Sequence, residues 1–180
     1  MKGNVHDKRL AFIRDESLPF VTSECDFCPG GGISFLLPLG PYLELAKHAG
    51  FAALVGPGGP WDYKDSVRKR LQHSQLYSRL HDGSDVEVGY DVWGNINYGY
   101  TGAAAGYSLE ILQAAQLLAE GKNDRSDSLA IDIGYELWAD FGEALTERQL
   151  QSAVRAAKSG FEHAAELDRD EFVRVRTWEP

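Results

Sequence analysis

Cysteine, basic charge and long apolar runs are all scarce in this 180-residue chain. The two cysteines form a single Cys25-x-x-Cys28 pair. A structural zinc site takes about four ligands, yet no second C-x-x-C exists and the five histidines are scattered. The pair therefore reads as a loop pair, free or disulfide-bonded, with redox or metal chemistry as the minor readings. No run approaches the ~18 apolar residues that span a bilayer. Met1 to Asp7 lacks an apolar core, so no secretory signal is expected there. Lys and Arg number 18 against 27 Asp and Glu, a net charge of -9. Proteins that grip nucleic acid usually carry a basic footprint, because neutralised phosphates release counterions. The one dense basic run, Arg68-Lys69-Arg70, reads as a solvated helix face. The balance weighs against a nuclease without excluding one. G-x-S-x-G, H-E-x-x-H, Walker and dinucleotide fingerprints are all missing, so no cofactor is expected. Pro29 to Gly32 reads as loop.

The length fits one domain that buries roughly two-thirds of its unfolded surface. Residues 1–35 read as irregular, with a short strand at Leu10 to Ile13. Pro41 opens a helix that Gly50 is expected to end. Val55 to Pro60 is a breaker. A helix is expected over Asp65 to Leu80, and His81 to Asp85 is a turn. Val92, Trp93, Ile96 and Tyr100 share one helical face. Ser108 is a cap for the next helix, which ends at Gly121. A strongly apolar central helix runs from Leu129 to Trp138. Thr146 and Gln149 form a capping box. Glu171 to Thr177 alternates as a strand. The fold class is α+β: helix-dominated, with a few short strands and a lysozyme-like layout as the expected arrangement.

One stretch stands apart. Tyr90-Asp91-Val92-Trp93-Gly94-Asn95-Ile96-Asn97-Tyr98-Gly99-Tyr100-Thr101-Gly102 holds a carboxylate, two amides, four aromatic rings and three glycines. Each glycine costs a helix about 0.5–1 kcal/mol relative to alanine. Either a neighbouring helix packs closely there or a substrate does. With Trp61-Asp62-Tyr63-Lys64 before it, and Asp124-x-x-Asp127 and Ala130-Ile131-Asp132-Ile133-Gly134 after it, the stretch resembles the bacterial polymorphic toxin type 44 domain over roughly Gly58 to Leu145. Members usually carry histidine in an N-I-H-Y-G run. Asn97 stands at that position here, so a general-base role there is not carried over. The resemblance implies an antibacterial toxin, secreted or injected, with a cognate immunity protein. It leaves a nuclease and a cell-wall hydrolase both open. Residues 1–57 are then expected to pack on the core as an irregular N-terminal segment, with 58–180 as the catalytic unit.

Glycan hydrolysis needs a proton donor and usually a second carboxylate. Asp91 is the first candidate, because a carboxyl buried among aromatic rings favours its protonated, donating form. Asp62 is the second, with helix capping as the plain alternative. Asn95 and Asn97 can hold N-acetyl groups or satisfy backbone. Trp61, Trp93, Tyr98 and Tyr100 can stack on sugar rings or pack the core. Lys64 belongs to the same set. For a metal-free nuclease, His73 and His81 near Lys64, Arg68 and Arg70 supply a base and cations. Asp124 and Asp127, with Asp132 beyond, offer a divalent-cation site or a helix cap; no metal is expected. The reading is a toxin that hydrolyses peptidoglycan glycan in the target periplasm or wall, muramidase-like. The alternatives are a cytoplasmic RNase effector and a carbohydrate-binding module without turnover.

Overall fold

The computed structural model describes residues 2–14, 40–56, 58–62, 64, 67, 76–121 and 124–179. Cys25, Cys28, Pro29 to Gly32, Arg68-Lys69-Arg70 and His73 lie outside them, as does most of the expected 65–80 helix. The described residues are helix-dominated, with one small antiparallel sheet, an α+β domain. In chain order the helices are α1 (Lys2–Val5), α2 (Lys8–Arg14), α3 (Gly40–Val55), α4 (Tyr90–Ala104), α5 (Leu109–Glu120), α6 (Arg125–Phe141), α7 (Glu147–Ala156) and α8 (Lys158–Asp168). The strands are β1 (Tyr77–Arg79), β2 (Val86–Gly89) and β3 (Val175–Thr177), with β2 in the middle. No described helix is long and apolar enough to cross a membrane.

The centre of the molecule is the pair α4 and α6. Val92, Ile96 and Tyr100 on α4 are fully buried, as are Ala130 and Ile131 on α6. These are the spacings that put side chains on one face of a helix. The backbones touch because glycine lies on both sides: a Cβ on Gly99 would overlap the Ile131 carbonyl, and one on Gly134 would overlap that of Ile96. The glycines of the motif are therefore largely a helix-packing device. The helices run in the same direction. Asp91 meets Asp124 and Asp127 through Arg174 at one end. Tyr100 stacks edge-on against Trp138 and donates its hydroxyl to the Gly142 carbonyl at 2.6 Å at the other.

Local signals explain the ends. Asp124 caps α6, accepting from the Ser126 and Asp127 N–H groups. Thr146 and Gln149 complete a reciprocal capping box on α7. Gly121 ends α5 in the left-handed region. Ser108 occupies the N-cap position of α5 but makes no side-chain cap bond.

Four expectations are corrected. Leu10 to Ile13 belongs to helix α2, because Leu10 and Ile13, three apart, both turn into the core. Gly50 does not stop α3; the helix continues to Val55 because Phe51 and Leu54 are buried on its inner side. Tyr77–Arg79 is a strand rather than the end of a helix, held by pairing with Glu87–Gly89. The C-terminal strand is confined to Val175–Thr177.

Candidate functional site

A cleft of about 650 Å³ opens between the second half of α3, the loop at Trp61 and Asp62, the Lys64 side chain, the middle of α4, and α5. Its walls are mostly apolar and aromatic: Phe51, Val55, Trp61, Tyr98, Tyr107, Ile111 and Leu112. Polar groups are few: His48, Asp62, Lys64, Asn95, Asn97 and Gln116. A concave apolar site with a handful of convergent polar groups is the usual form of a binding pocket. The structure thus brings together six of the nine residues picked from sequence: Trp61, Asp62, Lys64, Asn95, Asn97 and Tyr98.

Asp62 is held at both ends. One oxygen accepts the Gly58 N–H at 3.0 Å, the other the Lys64 N–H at 3.1 Å. Each carboxylate oxygen retains a further acceptor direction. Trp61 is almost wholly buried, with the Arg9 guanidinium 5.7 Å over its ring. Its carbonyl accepts from the Asn97 amide at 3.3 Å, while the Asn97 oxygen accepts from the Asn4 amide at 3.2 Å. Asn97 therefore ties α1, the Trp61 loop and α4 together. Asn95 is 5 % exposed, and its Nδ2 has no hydrogen-bond partner. Tyr98 donates to the Leu112 carbonyl at 3.2 Å. Burial pushes its hydroxyl up to about 12, with Tyr107 adding to the rise, so it stays protonated under physiological conditions. Lys64 lies along α4 where Gly94 leaves room: a Cβ there would stand 2.6 Å from the Lys64 Cγ.

Asp91, Trp93 and Tyr100 lie elsewhere. Tyr100 points into the core. Trp93 turns towards β1, with its Nε1 3.4 Å from the Ser78 hydroxyl. Asp91 sits in the first turn of α4, past the end of the cleft. Its carboxylate accepts from Arg174 Nε at 3.0 Å. The same guanidinium reaches Asp124 at 2.9 Å and Asp170 at 2.8 Å, with Asp127 at 3.6 Å. The acids around it hold the Arg174 pKa well above the ordinary arginine value, against the pull of its own burial. The N-termini of α4 and α6 meet here, and their dipoles favour the carboxylates. Among the described residues, no group of three or more His, Cys, Asp or Glu side chains is arranged to hold a metal ion.

Of the polar cleft residues, sequence reasoning missed His48, Tyr107 and Gln116. His48 Nδ1 lies 3.2 Å from the Tyr107 hydroxyl, with the rings 5.2 Å apart. Tyr107 stands in the Tyr90 to Ser108 run that carries the family resemblance, while His48 and Gln116 belong to no recognisable motif. The only signal was His48 standing three residues before Phe51 on a helix running into the region of resemblance. His81 is exposed and does not line the cleft. A shallower groove of about 480 Å³ runs between α5 and α6 and contains Glu110, Gln113, Arg125 and Asp132. There Gln113 donates to Asp132 at 2.5 Å, and burial pushes the Asp132 carboxyl up.

No curated protein and no solved structure matches the chain. The model of the family described as bacterial toxin 44 matches residues 50–140, a span that contains most of the cleft's walls, α4, α5 and all of α6 but its last residue. The chain belongs to the bacterial toxin 44 family.

Proposed function

We propose that this toxin domain hydrolyses the glycan of bacterial peptidoglycan in the 650 Å³ cleft, with Asp62 as the catalytic carboxylate. The observation that carries this reading is the company Asp62 keeps: one carboxylate, a buried amide donor and several aromatic rings in a single cleft. Aromatic faces suit sugar rings, and amides suit their hydroxyl and acetamido groups. A single enzyme carboxyl suffices where the substrate's own N-acetyl oxygen takes the place of the second. Asp62, fixed by two backbone N–H groups, is a positioned proton carrier for the leaving oxygen and then for water. Asp91 is a positioning residue in this scheme, because its pair with Arg174 fixes the first turn of the helix that presents Asn95. The site of action is the periplasm or wall of the target cell, and a cognate immunity protein protects the producer by covering the cleft.

A second reading rests on His48. With Tyr107 and Lys64 in the same cleft, it provides an acid–base group and a cation, the components of metal-free RNA cleavage. The net charge of -9 opposes RNA binding. Incubating the purified domain with peptidoglycan sacculi and, separately, with total RNA distinguishes the two. The expected outcome is release of soluble fragments with new reducing ends, RNA left intact, and a loss of about 100-fold or more in Asp62→Asn. Degraded RNA with intact sacculi refutes the glycan reading.

A further inference from the structure

The two amides of the motif helix have different fates, and the difference identifies a ligand group. The Asn97 amide is committed within the fold, accepting from Asn4 and donating to the Trp61 carbonyl. Asn95 lines the same cleft, is 5 % exposed, and leaves its Nδ2 without any acceptor. Native proteins pair nine in ten or more of their buried polar groups, and an orphaned donor costs stability. Nδ2 is itself covered, and a side-chain shift at the cleft wall is what would let a ligand complete the bonding.

Its surroundings narrow the chemistry. Asn95 is an uncharged donor, and Asp62 shares its cleft. With Lys64 set against that carboxylate in the same cleft, no net positive charge favours an anionic acceptor over a neutral carbonyl. In the same cleft, Tyr98, Tyr107 and Ile111 offer apolar surface. The Lys64 stem, packed on neighbouring Gly94, is a flexible wall that can yield. A group with one carbonyl oxygen and one methyl fits an orphaned amide donor beside aromatic walls. That group is the acetamido of an amino sugar.

We propose that Asn95 determines specificity, donating its side-chain amide to the N-acetyl carbonyl of the glycan and so selecting acetylated amino sugars over plain hexoses. The proposal rests on the glycan reading above. It is tested by binding of N-acetylglucosamine trimer and of glucose trimer, both neutral, to the wild-type domain and to Asn95→Asp. The acid places an oxygen where the donor was. Wild type is expected to prefer the acetylated trimer by about tenfold, the worth of one hydrogen bond, and the variant to bind the two within about twofold of each other. Asn95→Ala, checked for helix content, gives the same result if the added charge disturbs the fold. Equal binding of the two sugars by wild type, or a preference that survives in both variants, overturns this inference alone. Binding of neither sugar by wild type overturns it together with the glycan reading.

Discussion

Gly99 and Gly94 lie five residues apart on the same helix, and the same substitution should have opposite consequences at the two. A Cβ on Gly99 would overlap the Ile131 carbonyl oxygen and stand 2.9 Å from its carbon and 3.1 Å from its Cα. All three atoms are backbone, so relief requires α4 and α6 to move apart. Over-packing a core costs about 1–3 kcal/mol, and separating two backbones belongs at the top of that range or beyond. Alanine returns about 1 kcal/mol of helix propensity. Gly99→Ala should therefore lose about 2–3 kcal/mol net, a large share of the ~5–15 kcal/mol that holds a domain folded. At Gly94 the obstruction is the Lys64 side chain, with Cγ at 2.6 Å and Cε at 3.2 Å. That chain can swing away, so Gly94→Ala should hold or gain up to about 1 kcal/mol. Urea unfolding followed by tryptophan fluorescence and by circular dichroism measures both. A Gly99→Ala variant within ~0.5 kcal/mol of wild type, or a Gly94→Ala variant equally damaged, would refute the assignment of the α4–α6 contact.

The Arg174 cluster and Asp132 yield two further tests. Arg174→Met leaves Asp91, Asp124, Asp127 and Asp170 without their shared guanidinium and should cost about 3–5 kcal/mol, whereas Asp91→Asn should cost about 1 kcal/mol; thermal melts of both check this, and an unchanged Arg174→Met melt would sink it. Asp132 has its carboxyl raised chiefly by burial, with the Gln113 bond pulling the other way. Its folded-state value lies above the unfolded one, so its favourable contribution is present in acid and is lost as pH rises through the folded value. Asp132→Asn should therefore melt higher than wild type at neutral pH, by ~0.5 kcal/mol after solvent screening, and match it near pH 3; equal melts at both pH values would refute the assignment.

Features set by near neighbours in the chain were legible; those set by distant ones were not. The capping box of Thr146 and Gln149 joins residues three apart, and Val92, Ile96 and Tyr100 repeat at four, so both could be read directly. Leu10 to Ile13 is too short a run for its period to separate strand from helix. Arg174 stands in a stretch read only as an alternating strand, yet it is buried, and its partner Asp91 lies 83 residues away. No local pattern encodes such a pairing. The same limit led to Asp91 being grouped with the cleft residues: its carboxylate is taken up by Arg174, far along the chain. Asp62 was legible both as a capping-type residue and as a site residue, and the structure gives it both surroundings, backbone N–H partners and a place on the cleft.

The usual histidine of the family's motif can be weighed against the Asn97 found here. Asn97 is 1 % exposed and makes two bonds, one as donor and one as acceptor. A neutral imidazole also offers one donor and one acceptor. Either residue can therefore join the Trp61 carbonyl to the Asn4 amide, and either can hold the Asp62 loop against α4. On this geometry Asn97 acts through what it ties down, and it offers the two bonds without an ionisable group. Asp62 and Asn95 then sit on a frame fixed independently of any ligand: α4 locked to α6 by reciprocal glycines, and the Trp61 loop locked to α4 by Asn97. Side chains held this way keep their geometry before any ligand arrives, which is what a preorganised site requires.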